Sequence, residues 1–167
     1  MLQPINNTFI TIMKLTMDEW MPQQPDFELY HIYCHQKDYR LCFALNEHFK
    51  CDFLRMKDFL EEEGKPHLPT YSQFMYADEI THKEYFVIGN QPLVKELVRR
   101  EGDLFATEQP ELLIRELAKV DYFFLLYGQF TEQEMDEIED DLNMIPLINA
   151  AKRVDPGSHP AYLNLMH

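Results

Sequence analysis

Val120-Asp121-Tyr122-Phe123-Phe124-Leu125-Leu126-Tyr127 is apolar or aromatic at every position but Asp121, and Gly128 closes it. A run this short and this apolar, without alternation, reads as a strand covered on both faces, and so as the centre of a sheet. A helix comes next. Thr131 with Glu134 three residues on makes a capping box, Phe130 is placed to staple onto Met135, and Met135, Ile138 and Leu142 recur at helical spacing. Asn143 allows a turn, and Ile145 to Val154 reads as a returning strand with Pro146 near its start, where a missing amide donor is tolerated. The unit is strand, helix, strand, with parallel strands joined by a right-handed crossover.

Upstream, Phe27 to Cys34, Tyr71 to Ala77 and Tyr85 to Ile88 read as strands, the last closed by Gly89 and Asn90. Asp38 is placed to cap a helix from Tyr39 to Phe49, with Leu41, Leu45 and Phe49 as its apolar stripe and Cys42 beside it. The pattern predicts a short helix from Lys57 to Glu63, stopped by Gly64. Met21 to Asp26 and Gly64 to Thr70, each with two prolines, read as loops. Leu93 to Leu117 fits helix and strand periodicity alike. The order of elements predicts an α+β fold: a mostly antiparallel sheet with helices packed on it, in the split βαβ plan of ferredoxin-like domains, with insertions. Residues 1–12 read as a floppy extension and Met13 as the true start, leaving residues 13–167 as a single domain.

The whole chain has 167 residues, 46% hydrophobic and 26% charged, the profile of one compact domain that needs no disulfide or cofactor to build a core. Lys and Arg total 15 against 29 Asp and Glu, a net charge of -14, so phosphate backbones are repelled and no nucleic acid is expected. The basic cluster Lys95, Arg99 and Arg100 is diluted by Glu96 and Glu101. Three cysteines, an odd number, argue against a disulfide framework and for a reducing cytoplasm. Met1 to Ile12 carries no Lys or Arg and only a short apolar stretch, so a signal peptide is not expected, and no run approaches the ~18 to 20 apolar residues of a membrane span. With two serines, Ser72 and Ser158, in no nucleophile-elbow context, a serine hydrolase is excluded.

Ile114 to Tyr122, reading IRELAKVDY, resembles the signature of the IPExxxVDY family, small bacterial proteins named by that motif. The likeness extends in order through Phe27 to Cys34, DYRLCFALN from Asp38, YFVIGN from Tyr85, and Asp121 to Gly128 with the acidic helix behind it, so it covers the chain from about Lys14 to about Leu165. Arg115 departs from the family name, which has Pro there and a rigid turn with it. Such a proline would break a helix through Glu111 to Lys119, which favours a strand for Glu111 to Ile114. The resemblance implies no reaction, ligand or cofactor, since the family has none assigned.

Within the signature, Ile114 and Val120 are apolar, while Glu116, Asp121 and Tyr122 bring two carboxylates near a phenol, a set able to act as acid, base or cation ligand. The structural reading of the same residues has Asp121 accepting backbone amides at a strand entrance and Glu116 pairing with Lys119 or Arg115. His31, Cys34, His48 and Cys51 have zinc-ligand types and pair spacing, with His35 and Cys42 nearby. A strand puts His31 and Cys34 on opposite faces, however, and no metal is expected. The helix after Thr131 carries Glu132, Glu134, Asp136, Glu137, Glu139, Asp140 and Asp141 and no basic residue. Its acidic face, with Glu132, Asp136, Glu137, Glu139 and Asp140, is the candidate surface for a basic protein partner. Two functions fit these features: a non-enzymatic cytoplasmic binding or adaptor protein using that face, or a small-molecule-binding or enzymatic domain using Glu116, Asp121 and Tyr122.

Overall fold

The computed structural model describes residues 25–62, 69–93 and 111–166. In chain order the elements are β1 (Phe27–Tyr33), α1 (Asp38–Phe49), β2 (Leu54–Arg55), β3 (Tyr71–Asp78), β4 (Lys83–Pro92), a short 3₁₀ turn (Arg115–Leu117), β5 (Tyr122–Tyr127), α2 (Glu132–Met144), β6 (Ala150–Val154) and a second 3₁₀ segment (Pro160–Leu165). The six strands form one sheet in the order β2-β3-β4-β5-β1-β6. Every neighbouring pair is antiparallel.

β5 lies between β4 and β1 and is buried from Tyr122 to Leu126, as its unbroken apolar run demands. Because β1 is antiparallel to both β5 and β6, those two run parallel with β1 between them. By the same logic β1 and β4 are parallel across β5. The result is two interleaved split βαβ units, with β2 and β3 inserted at one edge. This is an α+β fold of the kind the order of elements predicts.

The pleat of β5 divides the core. Phe124 and Leu126 join Tyr30 and Ile32 under Leu41 and Leu45 of α1 and Leu142 of α2. Phe123 and Leu125 point the other way, onto Leu29, Ile88, Ile114 and Val120, and are roofed by Tyr162 and Leu165 of the second 3₁₀ segment. Both faces of the central strands are therefore covered, and an open sheet face is not available there as a docking surface.

Several boundaries differ from the expected ones. No helix forms over residues 57–62: the Phe59 amide donates to the Tyr71 carbonyl at 2.8 Å and the Phe59 carbonyl accepts from the Tyr71 amide at 3.1 Å, while Leu60 has φ 63°, outside right-handed helix space. Asp38 is the first residue of α1 and not its cap, a place taken by Lys37, and its carboxylate accepts from the Tyr39 amide at 2.7 Å. β6 begins only at Ala150, because residues 145–149 form a turn that includes Pro146. β4 runs on through Gly89 and Asn90 to Pro92. Gly89 permits this, since a Cβ there would sit 2.7 Å from Ser72 Oγ on the neighbouring strand. Residues 111–114 are not a strand. Gly128 does end β5, with φ 122°.

The readings of residues 1–12 and Met13, of most of the two proline-bearing loops, of residues 94–110 and of the Lys95, Arg99 and Arg100 cluster lie outside the described residues. Among the described residues no helix is long and apolar enough to cross a membrane.

Candidate functional site

Asn90, 0% exposed, organises the signature segment. Its Nδ2 donates to the carbonyls of Leu117 at 3.0 Å and Val120 at 2.9 Å, and its Oδ1 accepts from the Ile114 amide at 2.9 Å. The Asn90 backbone adds two bonds, donating to Asp121 and accepting from Leu113. An irregular stretch buried against a sheet needs partners for its backbone groups, and one amide side chain supplies three of them. Nothing in the sequence reading singled out Asn90 for this. Its one visible signal is a polar residue that follows Gly89 after the apolar run Tyr85 to Ile88, which reads more simply as a strand terminator.

Ile114 and Val120 are buried in the core on the second face. Asp121 Oδ2 accepts from the Cys34 amide at 2.8 Å and lies 3.6 Å from His35 Nδ1, and the Asp121 amide donates to the Ile32 carbonyl at 3.1 Å. Tyr122 Oη donates to the Gln36 carbonyl at 2.5 Å, and burial pushes its phenol far above the ordinary range. Asp121 and Tyr122 thus converge on residues 34–36 and hold the connection between β1 and α1. Glu116 stands exposed on the 3₁₀ turn, while Arg115 pairs with Glu111 at 2.8 Å. Arg115 occupies the first helical position, where a proline would lose no helical bond.

The Asp121 contact is testable. Asp121→Ala is expected to lower unfolding free energy by about 2 kcal/mol, because a charge-assisted bond to a partly buried amide is lost. Asp121→Asn, which keeps an acceptor, is expected to cost about 1 kcal/mol or less. Urea unfolding of the three proteins checks both values, and equal losses would mean that the charge, not the acceptor, holds the loop.

The histidine and cysteine set is dispersed. His31 Nε2 and Tyr162 Oη are hydrogen-bonded at 2.9 Å on the second face, where Phe123 and Tyr162 both meet the imidazole edge-on. Cys34 and Cys42 belong to the core under the helices, and His48 meets Asp141 at 3.2 Å. Among the described residues no group of three or more His, Cys, Asp or Glu side chains is placed to hold a metal ion. Burial holds the thiols neutral: Cys51 is pushed up to about 11 and Cys42 further, which leaves neither as an activated nucleophile at neutral pH.

On α2 the capping box forms as expected. The Glu134 amide donates to Thr131 Oγ1, and the Thr131 amide donates to Glu134 Oε2 at 2.8 Å. Lys83 also binds Glu134, and together these donors hold its carboxyl down to about 2. Arg153 of β6 draws in two more acids: its Nη1 donates to Glu132 at 2.7 Å and its amide to Glu139 Oε2 at 3.1 Å. Asp141 faces His48. Three acids are left on the outside, Asp136, Glu137 and Asp140, all exposed and with no ion-pair partner among the described residues. The expected five-residue face therefore narrows to these three, since Glu132 and Glu139 tie α2 to β6.

A broad cleft of about 1170 Å³ opens between residues 25–28 and 153–163. Its main polar groups are already engaged: Arg153 by Glu28 and Glu132, Asp155 by the Gly157 amide, and His159 by the Ala161 amide. No protein-family model, curated protein or solved structure matches the chain.

Proposed function

We propose that this is a non-enzymatic binding or adaptor protein that offers the outer face of α2 to a basic protein partner. The observation that carries the reading is the stripe Asp136, Asp140 and Met144, at i, i+4 and i+8, with Glu137 beside it. Its carboxylates have no cation among the described residues, and Met144 is 70% exposed. Like charges at i and i+4 weaken a helix, and Asp140 lies in the half of α2 where the macrodipole disfavours an anion. These acids work against the fold, whereas Glu132, Glu134 and Glu139 support it. A basic surface with an apolar socket for Met144 is the complementary partner.

Neutralising the stripe separates the two effects. Asp136→Asn with Asp140→Asn is expected to raise unfolding free energy by about 0.5 kcal/mol while loosening the partner. The protein immobilised over lysate of its native host should retain a basic protein that elutes as salt is raised, and the double variant should not retain it. Retention by both proteins, or retention insensitive to salt, overturns the proposal.

The competing reading, a small-molecule or enzymatic site at Glu116, Asp121 and Tyr122, has less support, because two of the three hold the loop between β1 and α1. Three free cysteines support a reducing, cytoplasmic setting. Kinship with the IPExxxVDY family is supported by the order of segments and by the position of Arg115, which suits the family's proline.

A further inference from the structure

The second 3₁₀ segment, Pro160–Leu165, lies as a short strap across the second face of the sheet, burying Tyr162 and Leu165 in the cluster with Leu29, Phe123 and Leu125. Its turn bonds are its own. The Tyr162 amide donates to the His159 carbonyl, the Ala161 amide to His159 Nδ1 and the Met166 amide to the Leu163 carbonyl. Among the described residues one hydrogen bond joins the strap to the rest of the molecule, at 2.9 Å between Tyr162 Oη and His31 Nε2. A segment tied so sparingly opens at less cost than the laddered strands beneath it.

The strap also has a hinge and room to move. Residues 155–158 fold on themselves, Asp155 Oδ1 accepting from the Gly157 amide at 2.8 Å and the Asp155 carbonyl from the Ser158 amide at 3.0 Å, so the link keeps its shape without the sheet. His159, Pro160 and Leu163 border the cleft of about 1170 Å³, which leaves open space on one flank.

What the strap covers is titratable. His31 is 6% exposed, with Phe123 of β5 and Tyr162 of the strap both edge-on to its ring. Lys152, directly opposite on β6, is the charge that bears on it; Tyr33 of β1 and Tyr162 are the phenols of the same face, and His159 packs on the Tyr162 ring. Pro160 to Met166 contains no charged side chain, so the strap brings no anion to an imidazolium. Burial first and Lys152 second hold the covered imidazole down to about 4, and lifting the strap gives the ring back to water, where 6.5 is its ordinary value. A proton thus binds the lifted form more tightly than the covered one, and by linkage favours lifting.

We propose that residues 159–166 are an acid-released strap: protonation of His31 holds them off the sheet and bares Leu29, Phe123 and Leu125 while the strands stay paired. The device does not involve the acidic stripe on α2, so either can fail without the other.

The test is native-state proteolysis of the full chain by papain. Cleavage within residues 160–165, divided by cleavage of the free peptide of residues 159–167 at the same pH, reads the lifted fraction. From about pH 7 to about pH 4.5 this ratio is expected to rise roughly fiftyfold, with the strands uncut. His31→Gln, which keeps a polar partner for Tyr162, and His31→Phe, which keeps a ring, both remove the titrating group; whichever folds is expected to give a flat ratio. Tyr162→Phe is expected to raise the ratio at every pH and to keep the rise, which separates a weaker strap from an untitratable one. An unchanging ratio in the native chain, an equal rise in a folded His31 variant, or first cuts within β1 or β5 overturns the proposal.

Discussion

Asn90→Ala is expected to lower the unfolding free energy by about 3 to 4 kcal/mol, the largest loss among the single substitutions considered. The side chain satisfies the Ile114 amide and the Leu117 and Val120 carbonyls at 2.9 to 3.0 Å. Truncation leaves all three without that partner, and each orphaned buried group costs on the order of 1 to 3 kcal/mol, reduced by whatever water enters the space. Asn90→Asp is expected to be at least as harmful, since a carboxylate would face two carbonyl oxygens where the amide donated. The measurement is the urea midpoint, with hydrogen exchange at the Ile114 amide as the local readout. A loss below about 1 kcal/mol, with Ile114 still protected, would show that the segment is held by its apolar contacts alone.

The second large effect is on pH. Burial first, and the Lys152 charge second, hold the His31 imidazole down to about 4, against 6.5 for the free side chain. The native state therefore prefers His31 neutral, whereas the unfolded chain takes up a proton as soon as pH falls through 6.5. Stability from this group is full above pH 6.5 and drains away between pH 6.5 and 4, by about 3 kcal/mol in total. His31→Gln, which offers a neutral polar group to Tyr162, is expected to remove most of that dependence. Parallel losses in wild type and variant over that window would assign it to other groups. Glu134 acts in a separate range: its native carboxyl is held down to about 2, so its contribution is present above 4.5 and fades as pH falls from 4.5 towards 2.

What could be read from the residues was whatever local chemistry decides. The run from Tyr122 to Leu126 is apolar or aromatic throughout, so only a doubly covered strand accommodates it, and Thr131 with Glu134 announces the start of α2 four residues ahead of Met135. The misreadings fall where partners distant in the chain decide. Residues 57–62 have adequate helical composition, but Phe59 pairs with Tyr71 and sets the conformation. Pro146 could have sat at a strand edge, yet residues 145–149 turn so that the Asn149 amide can reach the Tyr33 carbonyl. The polar signature residues drew notice through their chemistry, while the residue that organises their segment, Asn90, sits over twenty positions earlier and carries no charge. The acidic face was visible in sequence as five carboxylates. Only the fold shows that Arg153 engages two of them.

The interleaving of β1 has a kinetic consequence. β1 finds both of its neighbours in the last third of the chain, β5 from Tyr122 and β6 from Ala150, while β3 and β4 are joined by a tight local turn. A nascent chain can close the β3-β4 hairpin early, but must keep the apolar residues of β1 unpaired until those late strands leave the ribosome. Closing such long loops slows folding. The interval is one in which Leu29, Tyr30 and Ile32 stand open to a chaperone or to a neighbouring chain.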